Sequence, residues 1–425
     1  MRITNYVIRQ LPTLYFILAL VGYQLVASLL IPAPSPEELL GLQDYADYTA
    51  ITQIYTIPYR VLTLLVMIGV LAFYRKRNKT IQPISLFTLY YALWLIRLLY
   101  DIYVRTDIPV ALGPRSIAFA IIGFLSIFVT QRVYGRIDLE RVFKILVVLH
   151  AVCIIGMLIR NPLFVLASSE IQGRTQGSIG LDPISTAALA MSLMILIFYW
   201  LVNSGKTIKW YLKVSLCLLL LISLVIGLRA SSRGPIVSFA FVMLFYFYCI
   251  SKNKGVGIAI AIGLLIVFLL FREQFLSLLG EISPVLQERF ADKGETGLQR
   301  EGMALEAIRG FVNHPLLGYA YGVMFQGEIG YPHNTILEAF NGLGLVGGLL
   351  FLLLIFYGVK ESYYILHSKD NNSWICLLFM FRLVESMFSG NFYNDETLCV
   401  LWVFVFMYYH DRKKHLASNH AIECI

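Results

Sequence analysis

The chain reads as a series of long apolar runs cut by short polar breaks. About twelve such runs, each of roughly 16–24 residues, match the length a helix needs to cross a bilayer. They lie near 11–31, 54–74, 83–100, 110–130, 142–159, 183–202, 210–228, 234–250, 256–271, 335–358, 373–389 and 396–410. The pattern predicts an all-α fold: a polytopic integral membrane protein of about 12 transmembrane helices, forming a single domain over 1–425. One break, 272–333, is far longer than the rest and reads as an external loop containing short helices. Within it Leu298, Leu305, Ile308, Phe311 and Val312 recur at helical spacing with charges between them. That spacing predicts an amphipathic helix ending at His314-Pro315 and lying on the membrane surface, the loop serving as a lid or cleft wall.

Composition agrees: 58% of the 425 residues are hydrophobic and 14% charged, which excludes an ordinary soluble domain. The first run is too long for a cleaved signal and reads as a retained anchor. Cys153, Cys217, Cys249, Cys376 and Cys399 fall in apolar runs and Cys424 in the tail, with no CxxC pair. No disulfide, thiolate metal site or cofactor is indicated. The net charge of +8 reflects topology rather than nucleic-acid binding.

Charge placement then orients the chain. Of thirteen lysines, all but Lys293 fall in or beside alternate breaks, from Lys76 to Lys414, which sets both termini in the cytoplasm. Arginines such as Arg97, Arg105, Arg160, Arg174, Arg229, Arg233, Arg300 and Arg309 map to the opposite face. A guanidinium preference there points to a phosphate or carboxylate partner. Even-numbered runs begin at that face, so their positive helix ends point toward the same anion. Asp182-Pro183 reads as a helix cap with proline at the first position. If the Arg229–Arg233 turn is helical, its two arginines share a face.

The stretch His314-Pro-Leu-Leu-Gly318, then His333-Asn-Thr-Ile-Leu-Glu338 leading into Gly342-Leu-Gly344 and Gly347-Gly348, resembles the O-antigen ligase/polymerase superfamily. So do Ser232-Arg233-Gly234 and Arg174-Thr-Gln-Gly177 followed by Asp182-Pro183. Ala320 stands where many members carry glycine. The resemblance implies a metal-independent membrane glycosyltransferase at the outer face of a bacterial inner membrane. Its donor would be a polyprenyl-pyrophosphate-linked glycan and its acceptor a second glycan, with a chain-length regulator as a possible partner. It implies Arg233 and Arg174 on the pyrophosphate, with Arg229 and Arg300 in support, and His333 as the base. His314, Asn334 and Glu338 complete the expected glycan-binding set. The helix start after His333 should disfavour imidazolium and lower its pKa.

The expected activity is polymerisation of lipid-linked repeat units. The nearest alternative is ligation to lipid A–core, and a flippase for lipid-linked sugar is the rival of another class. Ionisable groups gathered at one face argue against alternating access. Any one outer arginine can instead snorkel to headgroups, and His314 can serve a helix C-terminus. The Gly342–Gly348 stretch reads as close helix packing rather than ligand contact. Arg382, within the eleventh run, pairs with Glu385 or a facing carboxylate. The first-loop acids Glu37, Glu38, Asp44 and Asp47 lack a tight metal-ligand pattern.

Overall fold

The computed structural model describes residues 2–31, 45–75, 81–105, 113–160, 178, 181–204, 208–251, 254–255, 258–259, 262–263, 270–282, 284–291, 294–325, 328–390, 392 and 395–423. The chain begins with α1 (Arg2–Ile17), a π-helical turn (Leu18–Gly22) and α2 (Tyr23–Leu29). Next come α3 (Tyr45–Phe73), α4 (Gln82–Tyr103), α5 (Gly113–Val133), α6 (Leu139–Arg160), α7 (Pro183–Ser204), α8 (Trp210–Arg229) and α9 (Arg233–Ile250). The long break contains α10 (Arg272–Ile282), α11 (Pro284–Ala291), α12 (Gly294–Asn313) and a hairpin of β1 (Val323–Phe325) with β2 (Glu328–Gly330). The chain closes with α13 (Thr335–His367), α14 (Trp374–Ser386) and α15 (Glu396–Glu423).

Eight helices among the described residues are long and apolar enough to cross a membrane: Ile8–Leu29, Thr52–Phe73, Gln82–Tyr103, Leu139–Arg160, Pro183–Ser204, Trp210–Arg229, Arg233–Ile250 and Thr335–His367. The expected runs at 110–130, 373–389 and 396–410 are met by α5, α14 and α15, while most of 256–271 lies outside the described residues. The protein is therefore an all-α polytopic membrane protein. The antiparallel hairpin, which aligns Val323 with Gly330, was not expected from the pattern.

The fold divides into two compact units, each assembled from distant stretches of chain. One comprises 1–12, 67–136 and 294–425. Its core is aromatic: the Phe392 ring sits 5.0 Å from both Tyr90 and Tyr91, 5.7 Å from Phe351 and 6.2 Å from Phe87. All five side chains are essentially inaccessible to water, which pins the short stretch before α15 against α4 and α13. Arg382 on α14 bonds Glu385 at 2.6 Å and Asp395 at 2.9 Å, so its charge is met as the sequence suggested.

Within this unit α12 occupies the predicted position and ends at His314-Pro315. It turns small residues inward, with Ala307 and Gly310 buried, and large ones outward. Leu298, Leu305, Ile308 and Val312 are exposed, as are Leu316 (67%) and Leu317 (73%) just beyond. The exposed Leu345, Val346 and Leu349 of α13 follow directly, because Leu345 N–H donates to Pro315 O.

The other unit comprises 13–66 and 137–293. Its central helix is α7, packed on α6, α8 and α9. Asp182 caps it as expected, its Oδ1 accepting from Ser185 N–H at 2.7 Å with Pro183 next in line. Ser178 Oγ donates to Ala27 O at 2.7 Å, tying the segment before α7 to the end of α2.

Candidate functional site

In the second unit, α8 and α9 are joined by Ala230, Ser231 and Ser232. Ser231 adopts φ +52°, a left-handed conformation that ends the helix, and Ser232 is extended. The turn is thus a break rather than a helical turn. The helical condition for Arg229 and Arg233 to share a face is not met. Arg229 is the last residue of α8 and Arg233 the first of α9. Both are half-buried, and the break is fixed on its inner side by buried Ala230, Ser231 and Pro235. Leu286 of α11 is fully buried against Leu228 and Ile236, so the long loop's first helices brace this arginine-bearing turn. Arg174 lies outside the described residues, as do Glu37, Glu38 and Asp44 and the side chain of Asp47.

In the first unit His333 stands immediately before α13 and also carries a left-handed φ, +53°. Asn334 caps the helix, its Oδ1 accepting from Ile336 and Leu337 N–H at 3.0 Å each, while its Nδ2 donates to Met387 O at 3.0 Å. Thr335 and Ser386 hydroxyls meet at 3.1 Å. The cap and the first residue of α13 therefore grip the end of α14 and hold the backbone beside His333 in its strained conformation. The Tyr331 ring lies 4.2 Å from the imidazole, whose Nδ1 is buried without a partner among the described residues.

Burial first, and the Arg300 guanidinium second, push the His333 pKa down to about 4. The expected direction is right. Its stated cause, the helix start, gives way to burial and a like charge. Arg300 reaches this region from α12, with Nη1 3.3 Å from Phe388 O. Glu338 faces inward: it is 1% exposed, and its Oε2 accepts from Phe392 N–H at 2.9 Å. Both Asn334 and Glu338 are thereby built into the wall that carries His333.

The two glycine-bearing motifs meet. Gly344 takes φ +64° inside α13 and opens the helix there. Tyr319 N–H then donates to Asn341 O at 2.6 Å, and Leu345 N–H donates to Pro315 O at 2.7 Å. A Cβ on Gly344 would lie 2.4 Å from the Leu316 carbonyl, and one on Gly318 (φ +76°) would lie 2.5 Å from Gly342 C. Gly318 and Gly344 are required by backbone-to-backbone contact, so the close packing at Gly344 is against a loop and not against the helix that the sequence reading expected. Ala320 fits here too: it is buried and its carbonyl accepts from Asn341 Nδ2 at 2.9 Å.

Asp101 of α4, not singled out in sequence, locks the same loop together with Arg97 and Arg105. Asp101, 1% exposed, accepts from Arg97 Nε at 3.0 Å and from Tyr321 N–H at 2.7 Å. Arg105 donates to Tyr319 O and lies over the Tyr319 ring, 4.7 Å from its centre. The other face of the arginine reading thus needs correcting. Arg97 and Arg105 fork onto Asp101 and loop carbonyls, Arg309 pairs with Glu306 at 2.5 Å, and Arg160 in the second unit holds the carbonyls of Leu29 and Ile31. These guanidiniums serve the chain itself. The signal was present in the Arg97–Asp101–Arg105 spacing, two successive i, i+4 pairs on one helix face. His314 is exposed and its ring stacks on Tyr319 at 5.2 Å.

A polytopic helical membrane protein thus carries arginines at a helix break in one unit and a neutral imidazole at a helix start in the other. Residues 216–352 match the family model described as O-antigen ligase, which supports membership of the O-antigen ligase/polymerase superfamily and an enzyme of ligase or polymerase type. That stretch contains Arg229, Arg233, Arg300, His314, His333, Asn334 and Glu338 but not Arg174. No curated protein and no solved structure matches the chain.

Proposed function

We propose that the protein polymerises polyprenyl-pyrophosphate-linked oligosaccharide repeat units at the outer face of the inner membrane. The observation that carries the reading is His333: a half-buried imidazole, neutral at physiological pH, fixed at the start of a membrane helix within the matched region. The acceptor hydroxyl oxygen attacks the anomeric carbon of the donor sugar, and the bond from that carbon to the pyrophosphate oxygen breaks. The electron pair leaves with the pyrophosphate, and the hydroxyl proton passes to His333 Nε2 or Nδ1. One displacement inverts the anomeric centre.

Arg233, Arg229 and Arg174 are assigned to the leaving pyrophosphate. Guanidiniums fixed where negative charge develops stabilise the transition state more than the ground state. Arg300 has a second part, since its charge helps keep His333 unprotonated until an anionic substrate offsets it. A second reading, transfer of finished glycan to lipid A–core, is favoured by the description of the matched family as a ligase.

The test is the surface-glycan gel profile of a deletion strain complemented with wild type, Arg233→Ala or His333→Ala. Loss of the long ladder with one repeat unit still attached supports polymerisation. Bare core with polymer held on its lipid carrier supports ligation, and an unchanged ladder overturns both.

A further inference from the structure

Arg382, within an apolar run, has no part in the transfer scheme, yet it holds both ends of the stretch on which His333 leans. Its fork is divided: Nη1 bonds Glu385 Oε2 at 2.6 Å, and Nη2 bonds Asp395 Oδ2 at 2.9 Å. Both carboxylates belong to buried residues. Glu385 lies in the last turn of α14, where its carbonyl accepts from Phe388 N–H at 2.9 Å and Ser389 N–H at 3.1 Å. Asp395 caps α15, its Oδ1 accepting from Leu398 N–H at 2.9 Å. One guanidinium thus ties the end of one helix to the start of the next.

Four residues near His333 take hold of the chain between those ends. Asn334 Nδ2 donates to Met387 O at 3.0 Å, and the Thr335 hydroxyl meets Ser386 Oγ at 3.1 Å. Arg300 Nη1 donates to Phe388 O at 3.3 Å, and Glu338 Oε2 accepts from Phe392 N–H at 2.9 Å. The His333 backbone, at φ +53°, is one peptide from Asn334, and a strained residue of this kind persists only where its surroundings hold it.

We propose that Arg382 is a positioning residue for His333. By joining Glu385 to Asp395 it fixes the carbonyls of Met387 and Phe388, which hold Asn334 beside the imidazole and Arg300 near it. That His333 is the group served rests on the glycosyl-transfer reading; the route to it rests on the hydrogen bonds alone.

The effect has a definite sign. Burial and the Arg300 guanidinium of α12 keep the imidazole unprotonated; Tyr331 is its close ring neighbour, and Glu338 of α13 is turned to Phe392. Loosening the 386–392 stretch admits water to His333 and releases the Arg300 bond to Phe388. Both changes let the ring take its proton at higher pH. Arg382→Lys keeps the charge but offers one ammonium where the fork offers two separated donors. No change of charge therefore competes with the change of position.

The experiment is an NMR pH titration of the His333 ring, on the full chain labelled at histidine in lipid nanodiscs. The His333→Gln spectrum identifies the resonance. Arg382→Lys and Asp395→Asn are compared with wild type, and size-exclusion profile and melting temperature check folding of each. Wild type should titrate at about 4, and both variants roughly one pH unit higher. For Asp395→Asn that direction opposes the lost carboxylate, which by charge alone would lower the value. A folded variant whose imidazole titrates as in wild type overturns the proposal, and if one variant does not fold the other decides.

A transfer assay with lipid-linked donor keeps the two readings apart. A kcat lowered roughly 10- to 100-fold, with KM values little changed, supports a displaced base. Turnover equal to wild type with an unmoved titration sinks the positioning role and leaves the function standing. A shifted titration in a protein that transfers no glycan sinks the function and leaves the positioning role.

Discussion

Leu345 lies four residues beyond Asn341, the spacing of a helical hydrogen bond, yet their main-chain groups bond elsewhere: Asn341 O to Tyr319 N–H and Leu345 N–H to Pro315 O. The segment 315–319 fills the rung that Gly344 opens in α13. One helix break thus ties the loop bearing His314 to the helix that begins at His333.

Gly344→Ala removes the conformational freedom this clasp needs and sets a methyl 2.4 Å from the Leu316 carbonyl. The strain alone is worth about 1–3 kcal/mol, and the contact adds to it. Thermal unfolding in detergent should show a clearly lowered midpoint. The double variant with Gly318→Ala should lose less than the sum of the singles, because both disrupt one contact.

Asp101→Ala deprives Tyr321 N–H and Arg97 of a buried acceptor, at a cost of about 1–3 kcal/mol. Asp101→Asn keeps one oxygen for the Tyr321 amide and should recover part of that loss. Proteolysis near residues 318–322 of the folded protein should follow the order wild type, Asn, Ala. Equal resistance in all three would show that the loop is held by other contacts.

His333 gives the pH dependence its sign. With a pKa of about 4, the free enzyme keeps a neutral imidazole above about pH 5, so kcat/KM should be level through neutrality and fall as pH drops toward 4. Arg300→Ala removes the second cause of the depression and should move that acid limb upward, which a pH–rate profile reads directly. Stability follows from the same difference. Between pH 6.5 and 4 the unfolded chain binds the proton that the folded chain refuses. Stability therefore declines as pH falls through this window.

Arg233→Lys retains charge but loses the planar fork, and should lower kcat by roughly 100- to 1,000-fold if the fork meets the leaving pyrophosphate. Arg141→Lys, at an exposed residue in the first turn of α6, should be near neutral. Single-turnover rates with a lipid-linked donor compare the two.

The exposed leucines after α12 and on α13 give a structural prediction. A bimane label on Leu316→Cys should be quenched by brominated lipid as strongly as one on Leu349→Cys, since both side chains continue one exposed apolar face. A label that stays unquenched at 316 places the loop in water.

The helical architecture was legible because each element is announced locally. Hydropathy marks the runs, Asp182-Pro183 marks a start, and apolar spacing marks α12. The roles of the arginines were less legible. The spacing of Arg97 and Arg105 about Asp101 announces their carboxylate, but their carbonyl partners at Gly318 and Tyr319 lie more than two hundred residues away. Glu338 reads as a polar residue at a helix start, and only packing turns it inward onto Phe392. Asn341 carried a signal that went unused: an amide inside an apolar run seldom stands there without a polar task.

The clasp between 315–319 and α13 has a kinetic consequence. Hydrogen bonds that a continuous helix would keep to itself are shared with a segment more than twenty residues earlier, so neither part can open alone. The amides of Tyr319 and Leu345 should exchange with solvent at one common rate, as members of a single cooperative block. This stretch of the long loop behaves as masonry rather than as a hinge.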